Sequence, residues 1–214
     1  MRPAPRSRST VALLLACLAV SLGVDAAAQS RPLLEYPSIH APRVALRGMV
    51  VSQNEIASRV GSRILQQGGN AIDAAVATAF ALAVTLPRAG NIGGDGFMTL
   101  YVAAEQRVHV IDFRGVAPQS ARLDMFLDAQ GKESPLASRG YRAPAVPGTV
   151  AGLELAHRKF GRLPWRTLIE PAVSLAHDGV ELSADEAFVF TWGRERLKES
   201  LAARTTFFKN DAAA

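Results

Sequence analysis

ALAVTLPRAGNIGGDGFMTLYV, residues 81–102, runs from a fully apolar segment, through four glycines in the seven positions 90–96, into a β-rich strip. Glycines gathered around one aspartate, Asp95, mark backbone that must turn sharply or approach something closely. A phosphate cradle needs the reverse order, a strand, then glycines, then a helix whose N-terminus receives the phosphate. Here the helix comes first, and the chain contains no G-x-x-x-x-G-K-[ST] run. The order argues against a nucleotide site and predicts a turn from helix into strand. Asp95 itself has no role visible at this level.

Upstream of the glycines, AAVATAFALAV (74–84) is apolar on every side, which predicts a buried helix. Asn70 is placed to cap it, with Asp73 in its first turn. Before it, Ser52 and Glu55 have capping-box spacing, and Ile56, Val60, Ile64 and Leu65 follow at helical intervals up to Gly68-Gly69. Downstream, FMTLYVAA (97–104) and VHVIDFRG (108–115) flank a polar EQR, the pattern of an antiparallel hairpin. Helical pieces are expected in DMFLDAQG (124–131), in TVAGLELAHRKFG (149–161) after Pro147-Gly148, and in PWRTLIEPAVSLAHDG (164–179), interrupted at Pro171. A last one, SADEAFVFTWGRERLKESL (183–201), opens with capping-box spacing from Ser183 to Glu186. The class is α+β, with about five helices around two or three strands. So small a sheet covers little of the apolar helix, and the chain is expected to be truncated, with the rest of the sheet elsewhere.

The 214 residues are 49% hydrophobic and 20% charged, a globular composition. Residues 1–28 stand apart: an arginine-bearing start, the apolar run VALLLACLAVSLGV, then small residues before a cleavage site after Ala28, or alternatively Ala26. This is the pattern of a secretory signal peptide, too short to span a membrane, and it predicts an exported protein, periplasmic or secreted. LLAC (14–17) also has the shape of a lipoprotein site at Cys17. Residues 29–43 are an irregular, proline-bearing tail, and 44–214 form the body, with no transmembrane segment expected in the mature chain. Loss of Arg2, Arg6, Arg8 and Asp25 lowers the net charge from +5 to +3. No basic cluster with interleaved aromatics remains to suggest nucleic acid. Cys17 is the single cysteine, so the mature chain has no disulfide or thiol chemistry.

His109, His157 and His177 show no i, i+4 pairing and no H-E-x-x-H, and His40 lies in the tail, so no metal site is expected. Asp112 and Arg114 sit at the end of the second hairpin strand, a place where charges are usually solvated. The setting of Arg114 in VIDFRGVAP is distinctive: an apolar strand, the arginine, then Gly and Pro. A guanidinium on a rigid strand end suits bidentate capture of a carboxylate.

Six ordered blocks then carry a resemblance: GGNAIDAAVATAFALAV (68–84), GNIGGDGFM (90–98), VIDFRGVAP (110–118), DMF (124–126), AVPGTVAGLELAHRKFG (145–161) and LIEPAVSLAHDG (168–179). In order and spacing they resemble the N-terminal part of the large subunit of γ-glutamyltranspeptidases, over roughly residues 44–205. The resemblance implies an N-terminal-nucleophile hydrolase fold, an αββα sandwich, incomplete in this chain. It implies a precursor that cuts itself, giving a small subunit whose new N-terminal threonine attacks the γ-glutamyl carbonyl of glutathione or another γ-glutamyl donor. The acyl group passes to water or to an amino-acid or peptide acceptor, and no cofactor or metal is implied. The family's arginine in its D-x-R-E-x-A-P block grips the donor's α-carboxylate, and Arg114 matches it. Two other functions remain open, an acylase acting on other amides and a non-catalytic binding protein on the same scaffold.

Two departures stand out. The glutamate that commonly follows the arginine is Gly115 here, which is expected to loosen the arginine or shift substrate preference. The family's nucleophile opens a Thr-Thr-His run, whereas TTF at 205–207 lacks the histidine and comes too early. No catalytic residue is therefore assigned within this chain, and the chain alone is expected to be inactive and poorly soluble.

Overall fold

Two asparagines decide where the first two helices start. The computed structural model describes residues 44–209, 212 and 213. Residues 1–28 with Cys17, read as a signal segment, and 29–43 with His40, read as a tail, lie outside the described residues. The chain divides into Met1–Val44 and Ala45–Ala214, and the architecture below is that of the second unit.

Helix α1 (Glu55–Gln66) is capped by Asn54, whose side-chain oxygen accepts from the Ala57 N–H at 3.2 Å. Ser52, expected in that role, stands too far upstream. Its hydroxyl donates to the Asn54 carbonyl and pairs with Ser58, while Glu55 turns outward to Arg59. The Asn54 amide also donates to the Thr85 carbonyl, tying the start of α1 to the end of α2 (Ala71–Thr85). Helix α2 has the expected cap and more. Asn70 accepts from Ile72 and Asp73, and the Asp73 carboxylate accepts from the Asn70 N–H, a complete reciprocal box. Asp73 is wholly buried, and it also accepts from the backbone N–H groups of Arg162 and Leu163. A buried carboxylate needs such donors, and here they dock the loop after helix α3 (Thr149–Phe160) onto α2.

Helices α1, α3 and α4 (Trp165–Asp178) all pack on α2. The core is formed by Ala57, Val60 and Ile64 of α1, Val76, Ala77, Phe80 and Ala81 of α2, Leu153 of α3, and Leu168 and Ala172 of α4. Each large aliphatic side chain buried there contributes about 1.5–3 kcal/mol. The expected interruption at Pro171 does not occur, because α4 runs through it as one helix to Gly179 (φ +83°). Packing of Leu168 and Ala172 on either side of the proline outweighs the single backbone bond it cannot donate.

The hairpin is as expected. Strands β1 (Gly96–Val102) and β2 (Arg107–Phe113) pair antiparallel with Met98 opposite Ile111 and Leu100 opposite His109. Their inner face, with Leu100 and Ile111 buried, packs against α3 at Ala156. The outer face leaves Phe97, Tyr101, Val108 and Val110 exposed.

DMFLDAQG is not a helix. Asp128 draws the Gln130 and Lys132 N–H groups onto one oxygen and Gly131 takes φ +74°, so the segment closes as turns with a Leu127–Glu133 bridge. The last predicted helix breaks at Gly193 into α5 (Ala184–Trp192) and α6 (Arg194–Lys198); a further helix, α7 (Leu201–Phe207), and a short pair, β3 (Phe208–Lys209) and β4 (Ala212–Ala213), follow it. Ser183 caps α5 as expected, but the Glu186 carboxylate, fully buried, goes to Arg88 rather than back to Ser183. Among the described residues no helix is long and apolar enough to cross a membrane.

Candidate functional site

Arg114 is positioned by the residue before it. The Phe113 carbonyl and ring lie so close to Gly148 and Gly152 that a methyl at either glycine would overlap them. These two glycines stand four apart, one before α3 and one in its first turn, and therefore on one face. The end of β2 is thus seated in a notch at the start of α3. Immediately after Arg114 the chain is pinned again, where Val116 and Val146 exchange both backbone hydrogen bonds.

The glycine stretch reaches the same place from the other side. Its Gly94 carbonyl accepts from the Gly148 and Thr149 N–H groups at 2.9 and 3.1 Å, which caps a helix that has no side-chain cap of its own. Asn91 holds the turn, its side-chain oxygen accepting from the Gly94 N–H at 2.8 Å and the Thr149 hydroxyl at 2.7 Å. The predicted turn from helix into strand is present, and it also closes the N-terminus of α3.

Asp95, which has no visible role in the sequence, is the partner of Arg114. Its Oδ1 accepts from the Arg114 Nη1 at 2.7 Å and its Oδ2 from the Gly115 N–H at 2.8 Å. Asp112, the nearer acid in sequence, does not pair with the guanidinium but accepts from the Arg114 backbone N–H at 2.9 Å. Where Gly115 offers no carboxylate to the arginine, one reaches it from residue 95. A Cβ at Gly115 would meet Asp95 Oδ2 at 2.8 Å, so the small residue is what makes room for that carboxylate. The Arg114 side chain remains 59% exposed despite the Asp95 contact. A fixed, half-exposed guanidinium of this kind can take a carboxylate through two parallel hydrogen bonds.

The other candidates fall away from this place. His157 bonds the Leu163 carbonyl and lies against Trp165, a structural residue of the core edge. His109 pairs with Glu105 and packs on Phe160, and His177 pairs with Asp178 at the surface. Thr205 lies in α7 with its hydroxyl donated to the Leu201 and Ala202 carbonyls. Among the described residues no group of three or more His, Cys, Asp or Glu could hold a metal ion. A groove of about 700 Å³ between α1 and α4, lined by Val60, Ile64 and Leu175, shares no lining residue with the Arg114 site.

The pair Asp95–Arg114 escapes sequence reading because the partners are nineteen positions apart on different elements. The signal available was the coincidence of an unexplained acid in the glycine turn with a glycine after the arginine.

The model of the family described as Gamma-glutamyltranspeptidase matches residues 57–214. A glutathione hydrolase proenzyme of Pseudomonas aeruginosa is 49% identical over 144 residues, 67% of this chain and 25% of the relative. The crystal structure of Helicobacter pylori gamma-glutamyltranspeptidase superposes with a TM-score of 0.77 at 41% identity, covering 81% of this chain and 50% of that one. A cephalosporin acylase from Bacillus halodurans superposes with a TM-score of 0.70 at 33% identity, over 80% of this chain and 31% of that one. The chain spans 25–34% of the length of the bacterial curated relatives it matches.

Proposed function

Since the chain belongs to the γ-glutamyltranspeptidase family, we propose that it forms the N-terminal part of the large subunit of an exported enzyme that transfers the γ-glutamyl group of glutathione or a related donor to water, an amino acid or a peptide. The observation that carries this reading is Arg114, matched to the family's carboxylate-binding arginine and held half exposed at the end of β2 by Asp95. Bidentate contact with the donor's α-carboxylate there would hold the γ-carbonyl in place for attack. The nucleophile is a threonine in the portion of the relatives that this chain does not cover. It is freed by self-cleavage of a precursor into a large and a small subunit, in keeping with relatives named as proenzymes.

The exposed apolar face of the hairpin supports a second sheet stacked on it, as an αββα sandwich requires. Residues 1–28 support export to the periplasm or beyond, with lipid anchoring at Cys17 as the lesser route. The likeness to a cephalosporin acylase favours one rival, hydrolysis of amides other than γ-glutamyl ones. Side-by-side hydrolysis by the complete, self-processed protein decides between them. Preference for γ-glutamyl amides supports the proposal, and preference for non-glutamyl acyl amides sinks it.

A further inference from the structure

We propose that Asp95 is the positioning residue of the Arg114 site, setting the direction in which the guanidinium meets the donor's α-carboxylate. This rests on Arg114 being the carboxylate anchor. Three observations carry it. The two oxygens of Asp95 have different partners, Arg114 Nη1 at 2.7 Å and the Gly115 N–H at 2.8 Å, so the carboxylate bridges the guanidinium to its own backbone. The backbone on both sides of Asp95 is fixed, by Gly94 on the N-terminus of α3 and by Gly96 beneath the Phe113 ring. Gly115 leaves the space that the carboxylate fills, so residues 95 and 115 act as a unit.

Such a contact does little for folding. Arg114 is 59% and Asp95 24% exposed, and ion pairs this open to solvent contribute little to stability. Its effect is on geometry. A free arginine side chain samples many rotamers, whereas one held at Nη1 presents its remaining N–H edge in one orientation. Asp95 also offsets part of the positive charge, so orientation and attraction oppose each other here. The bridging geometry favours orientation as the larger effect.

The test uses the complete, self-processed protein, with glutathione and with a donor analogue lacking the α-carboxylate. Asp95→Ala is expected to raise KM for glutathione about tenfold, the scale of one charge-assisted hydrogen bond, with kcat within about twofold. The analogue's KM should not move. Asp95→Asn, which keeps the shape and an acceptor, should lie between Asp95→Ala and the parent, and it serves if the alanine variant fails to process. Combined with Arg114→Ala, Asp95→Ala should add nothing to the single arginine variant. An unchanged or lowered KM in Asp95→Ala, equal effects on both donors, or full additivity in the double variant would each overturn the proposal. If Arg114→Ala leaves KM unchanged, the anchor reading falls and this one with it. If Arg114→Ala is impaired and Asp95→Ala is not, only the role of Asp95 is lost.

Discussion

The ring of Phe113 lies directly over Gly152, with no room for a methyl group between strand and helix. This contact, one residue before Arg114, helps to join the hairpin to α3 at the site. Gly152→Ala must push the ring or the helix aside, at a cost of about 1–3 kcal/mol for overpacking. The expected result is a lower melting temperature together with a raised KM for γ-glutamyl donors. A variant with wild-type melting and kinetics would show that the seat of Phe113 does not position the arginine.

Asn91 carries the glycine turn. Its side-chain oxygen accepts from both the Gly94 N–H and the Thr149 hydroxyl. Asn91→Ala should cost about 1–2 kcal/mol in denaturant unfolding, the sum of two ordinary hydrogen bonds. Asn91→Asp keeps the accepting oxygen and gives up only the exposed amide bond to the Ala89 carbonyl, so it should lose clearly less. Equal losses in the two variants would assign the effect to something other than those two bonds.

Asp73 accepts more hydrogen bonds than the other buried acid among the described residues, Glu186. Removing its carboxylate takes away the reciprocal half of the α2 capping box and leaves the Arg162 and Leu163 N–H groups without their acceptor. Asp73→Ala is expected to cost about 2–4 kcal/mol, half of a capping box plus part-buried donors left without an acceptor. Stability within about 0.5 kcal/mol of the parent would contradict the structural role given to Asp73.

Arg88 answers the buried Glu186, whose Oε2 has no hydrogen-bond partner among the described residues. Arg88→Ala strands that carboxylate and should cost about 3 kcal/mol, the lower end for a broken buried pair because Arg88 is 34% exposed. Adding Glu186→Gln should recover part of the loss. A double variant less stable than Arg88→Ala would mean that Glu186 contributes through contacts other than Arg88.

Much of this architecture is legible in the sequence because its signals are local. The Asn70–Asp73 box, the all-apolar α2 and the two β-rich strands each depend on neighbours a few positions away. Distant contacts override the local signs elsewhere. Pro171 reads as a break, yet packing on α2 carries α4 through it. Ser52 has capping-box spacing, but Asn54 also reaches the end of α2 and sets the cap two residues later. Glu186 has capping-box spacing too, but is taken by Arg88 from ninety-eight positions away. Arg114 stood out at the strand's end, whereas Asp95 did not, since its partner becomes visible only when the glycine turn folds back on β2. The notch for Phe113 was likewise invisible, because Gly148 and Gly152 read as a turn and a helix interior until the strand is laid across them.

The measurement closest to the central claim is the KM for glutathione of Arg114→Ala in the complete, self-processed protein. Loss of a charge-assisted carboxylate contact worth about 1.5–3 kcal/mol should raise KM roughly ten- to a hundredfold. Arg114→Lys, which keeps the charge but loses the fork, should remain clearly impaired. A KM unchanged by Arg114→Ala, in a protein that still processes itself and turns over glutathione, would remove Arg114 from the donor site and contradict the account.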